Sequence, residues 1–438
     1  MSVNVKTFYQ ATNPGKALFT DNQEIEEKYY IDFSSVRGGK IIEDLKDNIA
    51  MWSPDEPTCQ LFTGHIGCGK STELWLLKQQ LEAEGFHVVY FESDKDLEMG
   101  DLDVSDILLT IARQVIESLN TWEKLNLGEP TRFKGLIEGA IKLLQTEIEI
   151  SPEVELSFGI AKITAQAKAS PQLRSKLRDY LGPRSNGIIE TINQELLEPA
   201  HKKLKQRGKN GLVVIVDNLD KVDSSPKPWG RPQPEYLFVD RGEQLASLHC
   251  HVIYTLPLAL RFSNDFNTLT QRFKSDPQVL PMVSIQLRDG KEFGEGMAKL
   301  RQLVLARAFP HLEEQQRLEK ITEIFDSTET LDYLCKMSGG HVRNILRILN
   351  DAIKKQKGLP ISSENLNKVI QNFRNERTLA VEDEEWELLR QVAQTQKVKG
   401  DDGYQRLIRS MFVYEYRDDE GSWFDINPIL KDSVELKK

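Results

Sequence analysis

Gln60-Leu61-Phe62-Thr63-Gly64-His65-Ile66-Gly67-Cys68-Gly69-Lys70-Ser71-Thr72, followed by Leu74, Leu77 and Leu81 at helical spacing and then by Gly85, is the stretch on which the fold turns. The run 60–63 reads as a buried strand, and the segment after Lys70 as an amphipathic helix. Between them, Gly64 to Ser71 matches G-x-x-x-x-G-K-[ST] at every fixed position. Glycines let backbone N–H groups converge on phosphate oxygens where a Cβ would obstruct them. The helix that follows directs its positive end at the same point. The loop Gly64, His65, Ile66, Gly67, Cys68, Gly69 is therefore expected to cradle ATP or GTP. Lys70 would reach the β/γ-phosphates, Ser71 would ligate Mg²⁺, and Thr72 would sit beside the α-phosphate.

Working outward, Val88-Val89-Tyr90-Phe91 supplies a second strand, so the unit is strand, loop, helix, strand, which implies a parallel sheet with helices on its faces. Leu212 to Val216 and Val252 to Leu256 read as further buried strands, and Met282 to Gln286 as a fifth. Residues 1–25 read as a polar arm, and 26–290 as the nucleotide domain with a long insert at about 95–210. Within the insert, Ile107 to Leu119 has helical spacing. Ile148, Ile150, Val154, Leu156 and Phe158 alternate with polar residues, which predicts a β-hairpin. After Leu287 the pattern turns helical through 291–375, a helical lid. Residues 376–438 read as helices followed by two strands flanking Asp418-Asp419-Glu420-Gly421, a small winged-helix-like module. The expected class is α/β.

The strand 212–216 ends in Asp217-Asn218-Leu219-Asp220. A carboxylate at the tip of a buried strand beside a phosphate loop can hold the water shell of Mg²⁺, and Asp217 is the natural choice. Asp220 is either a catalytic acid or a helix cap. Thr255, ending the next strand, is either a contact to the γ-phosphate side or an ordinary β-branched strand residue. Arg343, one turn into a lid helix that opens at Ser338-Gly339-Gly340-His341, is either a group that reaches back over the phosphates or an ordinary surface arginine.

The order of these four elements, with a helical lid and a winged-helix-like tail after them, resembles the AAA+/STAND class of P-loop ATPases, and the Asp217-Asn218-Leu219-Asp220 turn is similar to that of KAP-type members. The resemblance covers roughly 30–375, the tail weakly, and not the insert. It implies Mg²⁺ binding by Asp217, a first sensor at Thr255, a second sensor at Arg343, and activity tied to homo-oligomeric assembly. Val36-Arg37-Gly38 looks like the signature of that class that contacts the base. One departure matters: the residue after the Mg²⁺ aspartate is usually Glu, and here it is Asn218, whose amide cannot accept the proton of an attacking water. Either Asp220 takes that role or hydrolysis is slow. The class also implies signalling or antiviral defence acting on a partner protein.

Composition bounds the alternatives. The 438 residues carry a net charge of −10, with 39% hydrophobic and 28% charged residues, the profile of a water-soluble globular chain of two or three units. The acidic balance argues against indiscriminate binding to nucleic acid or anionic membrane. Locally, residues 161–210 hold eleven Lys and Arg against four Asp and Glu, which suits a nucleic-acid backbone or a partner's surface. Residues 376–438 hold fifteen Asp and Glu against ten Lys and Arg, the wrong sign for phosphate contacts. His249-Cys250-His251 resembles a metal trio, but consecutive strand residues alternate faces and do not converge on one ion. Four dispersed cysteines, no leader-like start and no bilayer-length apolar run point to the cytoplasm.

Overall fold

The computed structural model describes residues 3–16, 18, 28–121, 131–144, 156–400 and 402–437. Its main sheet has five strands: β1 (Cys59–Gly64), β2 (Phe86–Glu92), β3 (Gly211–Asp217), β4 (His251–Thr255) and β5 (Gln278–Leu280), in the order β2-β3-β4-β1-β5. The registered pairings β2 with β3, β3 with β4 and β1 with β4 are all parallel. Every residue of β3 is buried, as expected of a parallel strand covered on both faces and built of Leu, Val and Ile. The helix Lys70–Ala83 leads from the glycine-rich loop toward β2.

The chain divides into two compact units. One is 42–63 with 73–278; the other is 1–41, 64–72 and 279–438. In the first, the insert between β2 and β3 is helical wherever it is described, from Val104–Thr121 to Glu198–Gln206. Its residues Phe133, Ile137, Leu177 and Leu197 share one apolar core with Leu212, Val214 and Val216 of β3. An electrostatic clamp ties it down at Asp101, which accepts hydrogen bonds from Arg174, Arg178 and Lys227. Burial would raise that carboxyl, but Lys227 and Arg178 hold it at about 2.

The second unit has its own core, in which Phe8, Phe33 and Val36 pack with lid residues such as Leu300, Leu334, Ile345 and Leu349, and with Ile429. The N-terminal segment contains a helix, Val5–Ala11, capped by Asn4. It is tied to the lid where the Asn350 amide donates to Tyr9 O and Thr12 Oγ1 at 3.0 and 3.1 Å. The tail contains helices Asp383–Thr395 and Asp402–Arg409, then the antiparallel hairpin of β6 (Val413–Asp418) and β7 (Gly421–Ile426). Among the described residues no helix is long and apolar enough to cross a membrane.

Two expectations are corrected. The fifth strand is Gln278–Leu280, not Met282 to Gln286. In the latter segment three successive N–H groups go to three different segments: Met282 to Glu415 O, Val283 to Gly340 O and Ser284 to Val36 O, which no strand ladder does. The expected hairpin also fails where it is described: Leu156 and Phe158 open the helix Leu156–Ala169. Its buried side chains Ile160, Ile163 and Ala167 recur at spacings of three and four. Ile148, Ile150 and Val154 lie outside the described residues.

Candidate nucleotide site

The glycine-rich loop adopts the backbone its composition implies. Gly67 and Gly69 sit at φ +86° and +111°, a region that costs any residue with a Cβ. A Cβ on Gly69 would meet nothing nearer than the Arg37 guanidinium at 3.9 and 4.0 Å, so the loop keeps a small open cradle bordered by a cation. Arg37 is 2% exposed. Its Nη2–H donates to Cys68 O at 2.6 Å, and its guanidinium lies 5.2 Å from the Phe33 ring. Arg37, to which the resemblance gives a contact with the base, thus packs against the glycine-rich loop. Lys70 is buried, and its ammonium donates to Gly64 O at 2.8 Å and His65 O at 3.0 Å. Ser71 and Thr72 lie in the first turn of the helix beginning at Lys70, and their hydroxyls make no hydrogen bond among the described residues. Backbone donors, an ammonium, a guanidinium and two uncommitted hydroxyls are the set that a triphosphate with Mg²⁺ requires.

The lid grips the same loop. His341 caps the helix Val342–Gln356, its Nδ1 accepting from Asn344 N–H at 2.9 Å. That bond fixes the tautomer, so Nε2–H donates to Ile66 O at 2.8 Å. The next backbone donor, Arg343 N–H, reaches Gly67 O at 3.1 Å. Arg343 itself is exposed, and its guanidinium makes no hydrogen bond or ion pair among the described residues. A Cβ on Gly67 would lie 2.8 Å from His341 Cε1 and 2.9 Å from Arg343 Cβ, so Gly67 is needed for close approach as well as for its backbone angle.

His65 faces the tail. Its Nε2 accepts from Glu415 N–H at 3.0 Å, which leaves the proton on Nδ1. That buried Nδ1–H has no hydrogen-bond partner among the described residues, a cost of about 1–3 kcal/mol. Burial, with His341 and Lys70 nearby, pushes His65 down to about 3. Burial also pushes His341 to about 3 despite its bond to Ile66 O. Both rings are neutral at pH 7. Neither His341 nor the tail's Tyr414 and Glu415 is signalled by motif spacing; a histidine in the N-cap position was the one available clue for His341.

In the other unit, Asp217 is fully buried at the end of β3. Its Oδ2 accepts from Tyr90 OH at 2.8 Å and its Oδ1 from Asn218 N–H at 2.7 Å. Asn218 takes the left-handed conformation, φ +66°, which Asn tolerates better than most side chains. Its amide donates to Asp94 Oδ1 at 2.8 Å, and Lys221 pairs with Asp94 Oδ2 at 2.8 Å. Burial would raise Asp94, but Lys221 and Asn218 bring it below the usual carboxylate range. Asp220 lies buried in a short 3₁₀ turn, Leu219–Lys221. Because Asn218 is left-handed, no single helix carries Asp217 and Asp220 on one face. Thr255 is likewise fully buried. Its hydroxyl accepts from Leu219 N–H at 3.0 Å and donates to Val216 O at 3.3 Å, so it braces the turn that presents both aspartates. His249 bonds Glu198 while His251 bonds Thr58, so the two rings diverge.

No family model matches the chain, and no curated protein matches it. Among solved structures it is similar to Cdc6p from Pyrobaculum aerophilum, at 12% identity over 100% of this chain and 98% of that one, with a TM-score of 0.39. It is also similar to the ORC2 protein of Aeropyrum pernix in ADPNP–ADP complexes, at 13% identity over 98% and 95%, with a TM-score of 0.38. Drosophila ORC bound to DNA matches at 12% identity over 97% and 90%, with a TM-score of 0.34. Likeness at this level carries no functional argument. The site rests on its own geometry.

Proposed function

We propose that this chain is a Mg²⁺-dependent, ATP-binding conformational switch of the AAA+/STAND type with slow ATPase activity, acting on a partner protein and assembling as a homo-oligomer. One observation carries the reading: the lid's helix start donates two hydrogen bonds into the glycine-rich loop, from His341 to Ile66 O and from Arg343 N–H to Gly67 O. Anything that reorders the loop's backbone must therefore act on the lid. Gly64, His65, Ile66, Gly67, Cys68 and Gly69 would surround the phosphates, with Lys70 and Arg37 supplying positive charge and Ser71 and Asp217 holding Mg²⁺. ATP with Mg²⁺ supplies a polyanion whose γ-phosphate is present before hydrolysis and absent after it. Arg343, exposed and without an ion pair among the described residues, is the group that would sense that difference; Thr255 acts indirectly, by holding the turn that carries Asp217 and Asp220. Work in signalling or defence is the biological setting this reading favours.

Calorimetry with Mg·ATP tests it. Lys70→Ala should abolish tight binding, and EDTA should weaken binding to the wild type. Equal affinity in wild type and variant would remove the loop as the site.

A DNA-handling ATPase is the second reading, and the lid favours it. Residues 342–378 hold eight Lys and Arg against three Asp and Glu in a chain of net charge −10. Arg347 and Arg377 lie 4.9 and 5.5 Å from the Phe373 ring, and neither pairs with a carboxylate among the described residues. Binding to duplex DNA that falls steeply with added salt, and that Arg347→Ala flattens, would select it.

A further inference from the structure

The tail's hairpin has an outer edge, and that edge is occupied. In an antiparallel pair, alternate residues of a strand turn their N–H and C=O groups away from the partner strand, leaving an edge that must be covered. On β6 the outward residue is Glu415. Its N–H donates to His65 Nε2 at 3.0 Å, inside the glycine-rich loop, and its C=O accepts from Met282 N–H at 2.9 Å. Beside it, the Tyr414 ring lies between two imidazoles, edge-on to His65 at 5.8 Å and stacked on His341 at 5.7 Å and 25°. Its hydroxyl accepts from the Asn344 amide at 2.7 Å, one turn into the helix that His341 caps. On the other side Tyr416 OH donates to Gly339 O at 2.8 Å. A Cβ on Gly339 would lie 2.7 Å from Tyr414 Cε2, so the glycine at this position makes room for the ring.

We infer that the C-terminal hairpin reads the phosphate loop directly, with Tyr414 as the positioning residue that holds His65 of the loop and His341 of the lid in one aromatic cluster. The inference rests on the nucleotide-switch reading and names the element that reports its state. Both of the hairpin's links to the loop run through His65, whose backbone belongs to the phosphate cradle. A change in the loop's backbone therefore moves the acceptor of the Glu415 N–H and the ring against Tyr414 together. His65 is neutral and carries its one proton on Nδ1, so Nε2 remains an acceptor for Glu415 over the physiological pH range. The lid, through Ile66 and Gly67, and the tail, through His65, are distant in sequence but are thereby coupled to three consecutive residues of the loop.

Hydrogen–deuterium exchange on the full chain tests the link, with and without saturating Mg·ATP. Exchange in 413–418 is expected to change several-fold on adding Mg·ATP, because the Glu415 amide is tied to the loop. Tyr414→Ala, outside the loop, is expected to weaken Mg·ATP binding about tenfold. Tyr414→Phe keeps the ring between the imidazoles and is expected to restore most of that loss. If Mg·ATP binds the wild type and exchange in β6 is the same with and without it, the inference is overturned. Wild-type affinity in a folded Tyr414→Ala overturns it as well. Should Tyr414→Ala fail to fold, the wild-type exchange and Tyr414→Phe decide alone. A wild type that binds no Mg·ATP would instead bring down the nucleotide-switch reading, and the inference with it.

Discussion

His65 and His341 are both neutral because both are buried beside other donors and cations, and that state has a pH signature. Each ring is pushed to about 3 in the fold, against roughly 6.5 in an unfolded chain. As pH falls, the unfolded chain takes up these protons first. The stability tied to the neutral rings is therefore whole above about pH 6.5 and is lost progressively as pH falls toward 3. At pH 5 the loss is about 2 kcal/mol per ring. Asp106, raised to about 6 by burial and by Asp103, titrates in the same window with the opposite sign and partly masks the effect. His341→Asn keeps a side chain that caps a helix and removes one titrating ring. The stability lost between pH 7 and pH 5, read by urea unfolding at both values, should shrink by about 2 kcal/mol in this variant. An unchanged loss would mean that His341 is not held neutral. Asp106 is untouched by the substitution, so its titration cancels in the difference between the two proteins.

Between elements, what decides the site is how closely the lid helix approaches the loop, and Gly67 sets that distance. Gly67→Ala places a Cβ 2.8 Å from His341 Cε1 and 2.9 Å from Arg343 Cβ, on a backbone at φ +86°. Strain and overpacking together should cost about 2–4 kcal/mol, while Gly294→Ala, whose Cβ meets nothing within 4 Å, should be neutral. Denaturant unfolding of both variants checks this, and equal stabilities would mean that the lid yields freely. This approach was only half legible in the sequence. The loop, the helix after it, β1, β3 and β4 all announce themselves, because a motif with fixed glycines and short β-branched runs are local signals. The short edge strand Gln278–Leu280 carries no such signal, and the apolar run Met282 to Ile285 is buried without joining a strand ladder, its N–H groups going to three different segments. Leu156 and Phe158 alternate over too short a span to exclude a helix, and the spacing of Ile160 and Ile163 beyond them is helical. The contacts of His65 with Glu415 and of His341 with Tyr414 join residues far apart in the chain, so no period or motif foretells them.

At the scale of the whole molecule the open question is turnover, and the turn after β3 frames it. Asn218 stands where a water-activating Glu is usual in the class this chain resembles, and its amide is engaged with Asp94 Oδ1. A Glu at that position would bring a carboxylate against Asp94 and Glu92, so Asn218→Glu should destabilise the turn instead of raising turnover. The remaining acid is Asp220, held in its 3₁₀ turn while Thr255 braces the residue before it. If Asp220 is the general base, Asp220→Ala should lower hydrolysis by about 10²–10⁴-fold with Mg·ATP affinity nearly unchanged. If it only shapes the turn, the variant should lose stability and affinity together while any residual turnover per bound nucleotide stays the same. Single-turnover hydrolysis run at several protein concentrations separates these outcomes. It also tests assembly, because a site completed by a second copy turns over faster as concentration rises, whereas a self-contained site does not. Wild-type turnover that is measurable, independent of concentration and unchanged in Asp220→Ala would end both the catalytic assignment and the requirement for assembly. It would leave an ATP-binding switch whose hydrolysis runs through some other group of the same site.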